Sequence, residues 1–164
     1  MPIFSSQKIT NHRLLAVLFM GFASGLPLML TASTLQAWFT EANVDLKTIG
    51  ALSLIGIPYA LKFFWAPLLD YFRFPWLGRR QGWILTVELM LALALFVMAH
   101  MTPGSQATLM GVAALLIAFL SATQDISIDA YRTDILSKDE RGIGASYTIF
   151  AYRLSFLVSG GLAL

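Results

Sequence analysis

Cysteine is absent from the 164 residues, so no disulfide framework, thiolate nucleophile or Cys-ligated metal can be built from this chain. Histidine is nearly as scarce. His12 and His100 are the only two, and the topology derived below puts them on opposite sides of a membrane, which removes a His-based catalytic centre. Charge is also sparse: Asp, Glu, Lys and Arg make up 12% of the chain, where an ordinary soluble domain carries about 25%. The formal net charge of +2 is small, and the basic residues sit in short loops between apolar runs. That pattern excludes a basic face for nucleic acid, and no nucleic-acid partner is expected. Low-complexity segments and internal repeats are missing as well.

Apolar residues fill the space these absences leave. They make up 57% of the chain, with a mean hydropathy of +0.71. They come in stretches of roughly 20, the length that crosses a ~30 Å hydrocarbon core, so the lipid bilayer is the expected solvent. Five runs can be drawn, at residues 14–39, 49–69, 82–101, 107–132 and 142–164. The expected fold is therefore an all-α membrane bundle of about five transmembrane helices. The first run is too long for a signal-peptide core and is followed by others, so it reads as a retained helix.

Short connections at 40–48, 70–81, 102–106 and 133–141 imply sequential antiparallel hairpins. Lys8 and Arg13 precede the first run. Arg73, Arg79 and Arg80 follow the second, and Arg132, Lys138 and Arg141 follow the fourth, whereas the opposite side holds only Lys47. The positive-inside rule then makes the N-terminus and the second and fourth loops cytoplasmic in a multi-pass protein. Five crossings leave the chain end on the far side at Gly160-Gly161-Leu162-Ala163-Leu164 without a polar tail. A portion of a longer polypeptide is expected.

Several features within the runs can carry chemistry. Gly21 and Gly25 have the GxxxG spacing that lets two helices approach closely. Pro27 follows, and Ser24 and Thr31 share a face seven residues apart, so the first helix either turns a polar stripe to a cavity or bonds its hydroxyls to its own carbonyls. Lys62, Glu88, Asp125, Asp129 and Arg153 are ionisable residues placed inside apolar runs. Each is costly in hydrocarbon and should face protein or water with a partner. Counting about the fourth loop sets Asp125 level with Arg153, and counting about the second sets Lys62 level with Glu88. Two opposite-charge pairs in one layer are expected. On the fourth run Ser121, Asp125 and Asp129 recur at spacing four with Arg132 close by. A carboxylate beside a cation can take up and release a proton as its surroundings change, and Asp125, then Glu88, are the expected titrating groups. Static ion pairs that fix helix register are the alternative, and for Asp129 and Arg132 a solvated helix end.

The second loop has Asp70 closing one helix and Gly78-Arg79-Arg80 opening the next, similar to the signature loop of the major facilitator superfamily. Ala66 stands where that pattern has its first glycine and Tyr71 where it has a basic residue. The wider match runs through Phe22-Ala23-Ser24-Gly25-Leu26-Pro27-Leu28, Thr34-Leu35-Gln36-Ala37-Trp38, Asp45-Leu46-Lys47-Thr48-Ile49-Gly50, Ala122-Thr123-Gln124-Asp125, Asp129-Ala130, Thr133-Asp134, Glu140-Arg141-Gly142 and Tyr152-Arg153-Leu154. Together these resemble the AmpG muropeptide permeases of Gram-negative bacteria over essentially the whole chain.

The resemblance implies a proton-driven importer of anhydromuropeptides in the bacterial inner membrane, serving cell-wall recycling and β-lactamase induction. It implies a gating loop of Asp70, Gly78, Arg79 and Arg80. Asp125, Asp129 and Arg153 match the charged positions of that family's fourth and fifth helices, and with Lys62, Glu88, Ser24, Thr31 and Gln124 they make up the expected substrate and proton pathway. Partners would be the bilayer, protons, a small-molecule anhydromuropeptide and the remaining half of the transporter, with no cofactor. A facilitator has at least twelve helices in two halves, so this chain corresponds to part of the first half and is expected to be inactive alone. Related acetyl-coenzyme A transporters share parts of the pattern. From another class, Asp125, Asp129 and Asp134 form an array reminiscent of the magnesium-diphosphate motifs of membrane prenyltransferases, without the second acidic array such enzymes need.

Overall fold

The computed structural model describes residues 11–72 and 78–162. Lys8 and Arg73, used above to orient the chain, lie outside the described residues, as does the side chain of Arg79. Among the described residues the chain forms five helical rods and no strand. α1 (residues 11–41) is α-helical over Asn11–Met29, widens to a π-helix at Leu30–Thr34 and returns to α-helix at Leu35–Glu41. α2 (residues 46–71) is the least regular, with 3-10 turns at Leu52–Ile55 and Lys62–Phe64 between shorter α-helical pieces. α3 is Arg79–Ala99, α4 is Pro103–Ile135 and α5 is Arg141–Leu162.

The irregularities have local causes. Pro27 has no N–H to donate back along α1, and the π-helical turn follows within a few residues, where Thr31 donates its hydroxyl to Pro27 O at 2.8 Å. α2 carries Pro58 and Pro67 within its length. Where the connection 102–106 was expected to be a loop, α4 already begins at Pro103, a favoured first helical residue, and absorbs the mismatch as a kink at Gln106, whose φ is −126°. Asp45 caps the start of α2 by accepting from Thr48 N at 3.0 Å and from Thr48 Oγ1 at 2.7 Å. Ser137 and Glu140 make a capping box before α5, the Glu140 carboxylate accepting from Ser137 N at 3.0 Å and Ser137 Oγ at 2.9 Å.

Four rods contain spans long and apolar enough to cross a membrane: His12–Glu41, Leu46–Phe64, Arg80–Ala99 and Pro103–Ile135. α5 has 22 residues, also long enough, but Arg153 and the hydroxyls of Ser146, Thr148, Ser155 and Ser159 lower its hydropathy below that of the others. α4 has 33 residues, or about 50 Å at ~1.5 Å per residue. It is therefore longer than a ~30 Å hydrocarbon core is thick, and Asp129, Arg132 and Asp134 fall in its last two turns.

α4 is the hub. It packs on α3 along most of its length and also touches α1 and α2, while α1 pairs with α5. One apolar core gathers Leu35 and Phe39, Leu52 and Ile55, Val87 and Leu91, and Met110 and Ile117 from the first four rods. α5 enters by close approach to α1 instead. A Cβ on Gly21 would stand 2.9 Å from Thr148 O, and one on Gly25 would stand 2.0 Å from Ser155 Oγ. The GxxxG spacing thus marks the α1–α5 seam. Outside, Leu85, Leu89, Leu93 and Phe96 form an exposed apolar stripe along α3. Such a surface suits acyl chains and would be an unusually large apolar patch in water.

Candidate functional site

Three helices converge on one carboxylate. Asp125 on α4 accepts from Ser24 Oγ of α1 at 2.5 Å, and its second oxygen stands 3.4 Å from Lys62 Nζ of α2. The carboxylate is mostly enclosed and the lysine about one third exposed, at 14% and 34% side-chain exposure, so the pair opens to the outside through the lysine. Ser24 lies between Gly21 and Gly25, which turn to α5, while its own hydroxyl points to α4. Lys62 begins a 3-10 turn, and the tighter winding changes where α2 points its side chains relative to a regular helix.

The expected pairs are therefore rearranged. Lys62 meets Asp125, not Glu88. Glu88 accepts a short hydrogen bond from Gln124 Nε2. Arg153 is exposed on α5 and makes no ion pair or hydrogen bond among the described residues. Residue counting about the loops placed these groups at the right depth, but depth leaves the angle around each axis open. α5 turns Thr148, Tyr152 and Ser155 to the glycines of α1, and Arg153 is thereby turned away.

Gln124 is fully buried and its Oε1 has no partner among the described residues. Ser24 takes the polar role expected of α1, while Thr31 is fully buried and bonded to Pro27 O and Leu28 O of its own helix. Ser121, one turn before Asp125, is buried with its hydroxyl beside that of Tyr59, which has no other polar neighbour among the described residues close enough to bond. Tyr59 and Tyr152 both lie within electrostatic reach of Asp125. Neither tyrosine was expected as a site residue: Tyr152 stood only in the matched Tyr152-Arg153-Leu154 motif, and Tyr59, three residues before Lys62, could have been found as its helical neighbour. Trp65 donates to Thr123 Oγ1 at 3.1 Å, a second tie between α2 and α4 near the charged group.

A second cluster lies at the other level, about 12 Å from the first at ~1.5 Å per residue. Arg80, at the start of α3, forms a short ion pair with Asp70 at the end of α2 and reaches Asp134 near the end of α4 at 3.3 Å. One guanidinium thus ties three helix ends. Gly78 supplies the left-handed φ of +77° that turns the chain into α3. Asp129 pairs with Arg132 at 3.1 Å, and Arg132 donates to Thr148 Oγ1 of α5 at 3.1 Å, so this helix end joins α4 to α5 and is more than a solvated terminus.

Asp125, Asp129 and Asp134 do not converge. Each faces a different cation, and among the described residues no group of three His, Asp or Glu could hold a metal. The prenyltransferase alternative loses its geometric basis.

Comparison with known proteins gives a consistent picture. The sequence profile described as acetyl-coenzyme A transporter 1 matches residues 12–114. The chain is 53% identical over 148 residues to the anhydromuropeptide permease of Escherichia coli K12, covering 90% of this chain and 30% of that protein. It is 43% identical over 159 residues to an uncharacterized protein of Haemophilus influenzae, covering 97% of this chain and 37% of that one. It is 34% identical over 157 residues to the putative transporter AmpG 4 of Rickettsia conorii, covering 94% and 38%. The chain spans 30% to 38% of the length of these relatives.

Proposed function

The chain belongs to the acetyl-coenzyme A transporter family, and from that premise we propose that it forms the first part of a proton-coupled importer of anhydromuropeptides. It would sit in the bacterial inner membrane with its N-terminus in the cytoplasm and would serve cell-wall recycling and β-lactamase induction. The observation that carries the coupling is the meeting of Lys62, Asp125 and Ser24 from three helices. The substrate class comes from the 53% identity to the anhydromuropeptide permease.

An ion pair inside the membrane is tolerated while its members touch, and a carboxylate left alone there is costly. Parting Lys62 from Asp125 therefore favours protonation of Asp125, and re-forming the pair expels the proton. Lys62 is the half-open member, so an approaching substrate acid or carbonyl reaches it first and draws it off Asp125. Ser24 holds the carboxylate in place during the exchange. In this reading Glu88 and Gln124 form the flank of the pathway, and Asp129 and Arg132 its cytoplasmic mouth. Arg153 has no partner among the described residues and would face the rest of the transporter. Asp70, Gly78, Arg79 and Arg80 form the gating loop, with the Arg80 clasp closed in this conformation. In folds built from two such halves the substrate lies between them, so the cavity is completed by the remaining polypeptide.

The test is uptake of labelled anhydromuropeptide by vesicles carrying the complete polypeptide. Asp125→Asn should abolish accumulation driven by a proton gradient while equilibrium exchange of labelled for unlabelled substrate continues. Normal accumulation by Asp125→Asn would sink the coupling role. The family match favours a second reading, transport of an acetyl-coenzyme A-type solute. Competition of muropeptide uptake by excess acetyl-coenzyme A would support it.

A further inference from the structure

Two adjoining cavities run between α2 and α4, away from the Asp125 group. One of about 450 Å³ is bordered by Asp45, Lys47, Thr48 and Thr108 at its mouth and by Leu54 and Leu115 deeper down. The other, of about 530 Å³, shares Leu54, Val112 and Leu115 with it and continues past Leu61 to Trp65 and Phe119. Because they share walls, they form one groove. Lys62, Asp125 and Ser24 line neither part.

The groove is graded in polarity. Charged and hydroxyl groups stand only at the Asp45 end, and below Thr48 and Thr108 the walls are hydrocarbon. At the bottom Trp65 and Phe119 lie with ring centroids 4.9 Å apart. Trp65 spends its N–H on Thr123, so no free polar atom of the indole meets the groove. From Thr48 to Leu61 the helix rises about 20 Å at ~1.5 Å per residue, enough to cross one leaflet of a ~30 Å core. A sugar-peptide would find almost no hydrogen-bond partners there, whereas an acyl chain needs none.

The mouth carries opposite charges two residues apart. Lys47 is exposed and makes no ion pair among the described residues. Asp45 is held by hydrogen bonds from the Thr48 hydroxyl and then the Thr48 amide, which keep its carboxyl below its usual range and ionised. A phosphate with an ammonium close by complements this arrangement, the phosphate on Lys47 and the ammonium on Asp45.

We propose that this groove is a binding site for an amine-bearing zwitterionic phospholipid of the leaflet opposite the Arg80 clasp. One tail lies against Leu54, Val112 and Leu115, and the headgroup rests between Asp45 and Lys47. The inference needs the membrane placement of α2 and α4 but not the transport reading, and its test contains no transport step.

The complete polypeptide is reconstituted with a phosphatidylethanolamine that carries a photoactivatable group in its acyl chain, and the adducts are mapped by mass spectrometry. Adducts on Val112 and Leu115 should exceed those on Leu89 and Leu93, which face the open bilayer. Gly111→Trp should erase the excess, because a Cβ at Gly111 meets nothing within 4 Å and the indole can fill the groove without moving the backbone. Adducts on Leu89 and Leu93 serve as the folding control and should persist. Lys47→Ala should lower the adduct yield on Val112 and Leu115, because the phosphate loses its cation. Phosphatidylglycerol, which lacks the ammonium, should label less than phosphatidylethanolamine, and Asp45→Asn should remove that preference. Labelling of Val112 and Leu115 no stronger than that of Leu89, or unchanged by Gly111→Trp, overturns the proposal, as would a further segment of the polypeptide covering the groove.

Discussion

At Gly25 a single missing methyl sets how closely α1 and α5 approach. A Cβ there would meet Ser155 Oγ at 2.0 Å, and that hydroxyl is committed to Tyr152 O at 2.7 Å. Gly25→Ala must displace the serine or push α5 away, an overpacking cost of about 1–3 kcal/mol. Ser155→Ala removes the obstructing oxygen and leaves contacts of 3.1 Å to Tyr152, which small shifts relieve. The double variant should therefore unfold in detergent at a temperature above that of Gly25→Ala alone, and a double-mutant cycle with no coupling would show that the seam is looser than described. The glycine pair was readable from the sequence because small residues four apart have few other reasons to lie in an apolar helix. Asp125 was readable for a similar reason: a charge in hydrocarbon needs an explanation. Its partner was not, since loop counting supplies height while the rotation of α2 around Lys62 depends on a 3-10 turn that no residue announces. Gln124 had only its position beside Asp125 to mark it, and its bond to Glu88 needed the packing of α3 on α4.

Helix ends illustrate what local chemistry can specify. All five rods overlap the apolar runs, yet most begin or end a few residues away, because hydropathy marks the lipid-facing length while caps mark where the hydrogen bonds stop. The Ser137–Glu140 box shows the difference. α4 ends at Ile135 and α5 starts at Arg141, leaving a turn in which the Ser137 amide is satisfied by the Glu140 carboxylate. Glu140 is held below its usual carboxyl range, first by the Ser137 amide, then by the Ser137 hydroxyl, with a smaller contribution from Arg13. Unfolding returns it to about its ordinary value of 4.5. The cap thus contributes fully above pH 4.5 and is lost as the pH falls through the lower folded value. Hydrogen exchange at the Ser137 amide should accelerate, relative to intrinsic rates, below that value and not between pH 5 and 8. Glu140→Gln, which can still accept a hydrogen bond but carries no charge, should flatten the profile. Acceleration beginning near neutral pH in the native chain would point to another group. The π-helical turn of α1 and the kink at Gln106 had no comparable signal, since Pro27 announces a disturbance without saying how the backbone accommodates it.

Across the whole molecule two charged levels are stacked on the same helices. The Arg80 clasp draws together the ends of α2, α3 and α4, and about 12 Å away Lys62 and Ser24 meet on Asp125. α2 and α4 pass through both levels, so under the proposed reading opening the clasp would tilt the two helices that hold the ion pair. Gating and coupling would then be linked by rigid helices, with no relay of side chains between them. That linkage has an incomplete environment in these residues: Lys62 is partly open, Arg153 lacks a partner among the described residues, and large apolar side chains such as Phe63 and Phe64 of α2 are exposed. Since the relatives are about three times longer, the proposed reading assigns these surfaces to contact with further polypeptide or lipid. Liposomes holding only these 164 residues should show no gradient-driven muropeptide accumulation. Supplying the rest of a relative's sequence as a separate chain should restore part of it, and Lys62→Met should abolish the restored activity. Accumulation by the 164 residues alone would mean that one such bundle, or a pair of copies, already encloses the substrate. The search for the pathway would then move from the seam between two unlike halves to an interface between like ones.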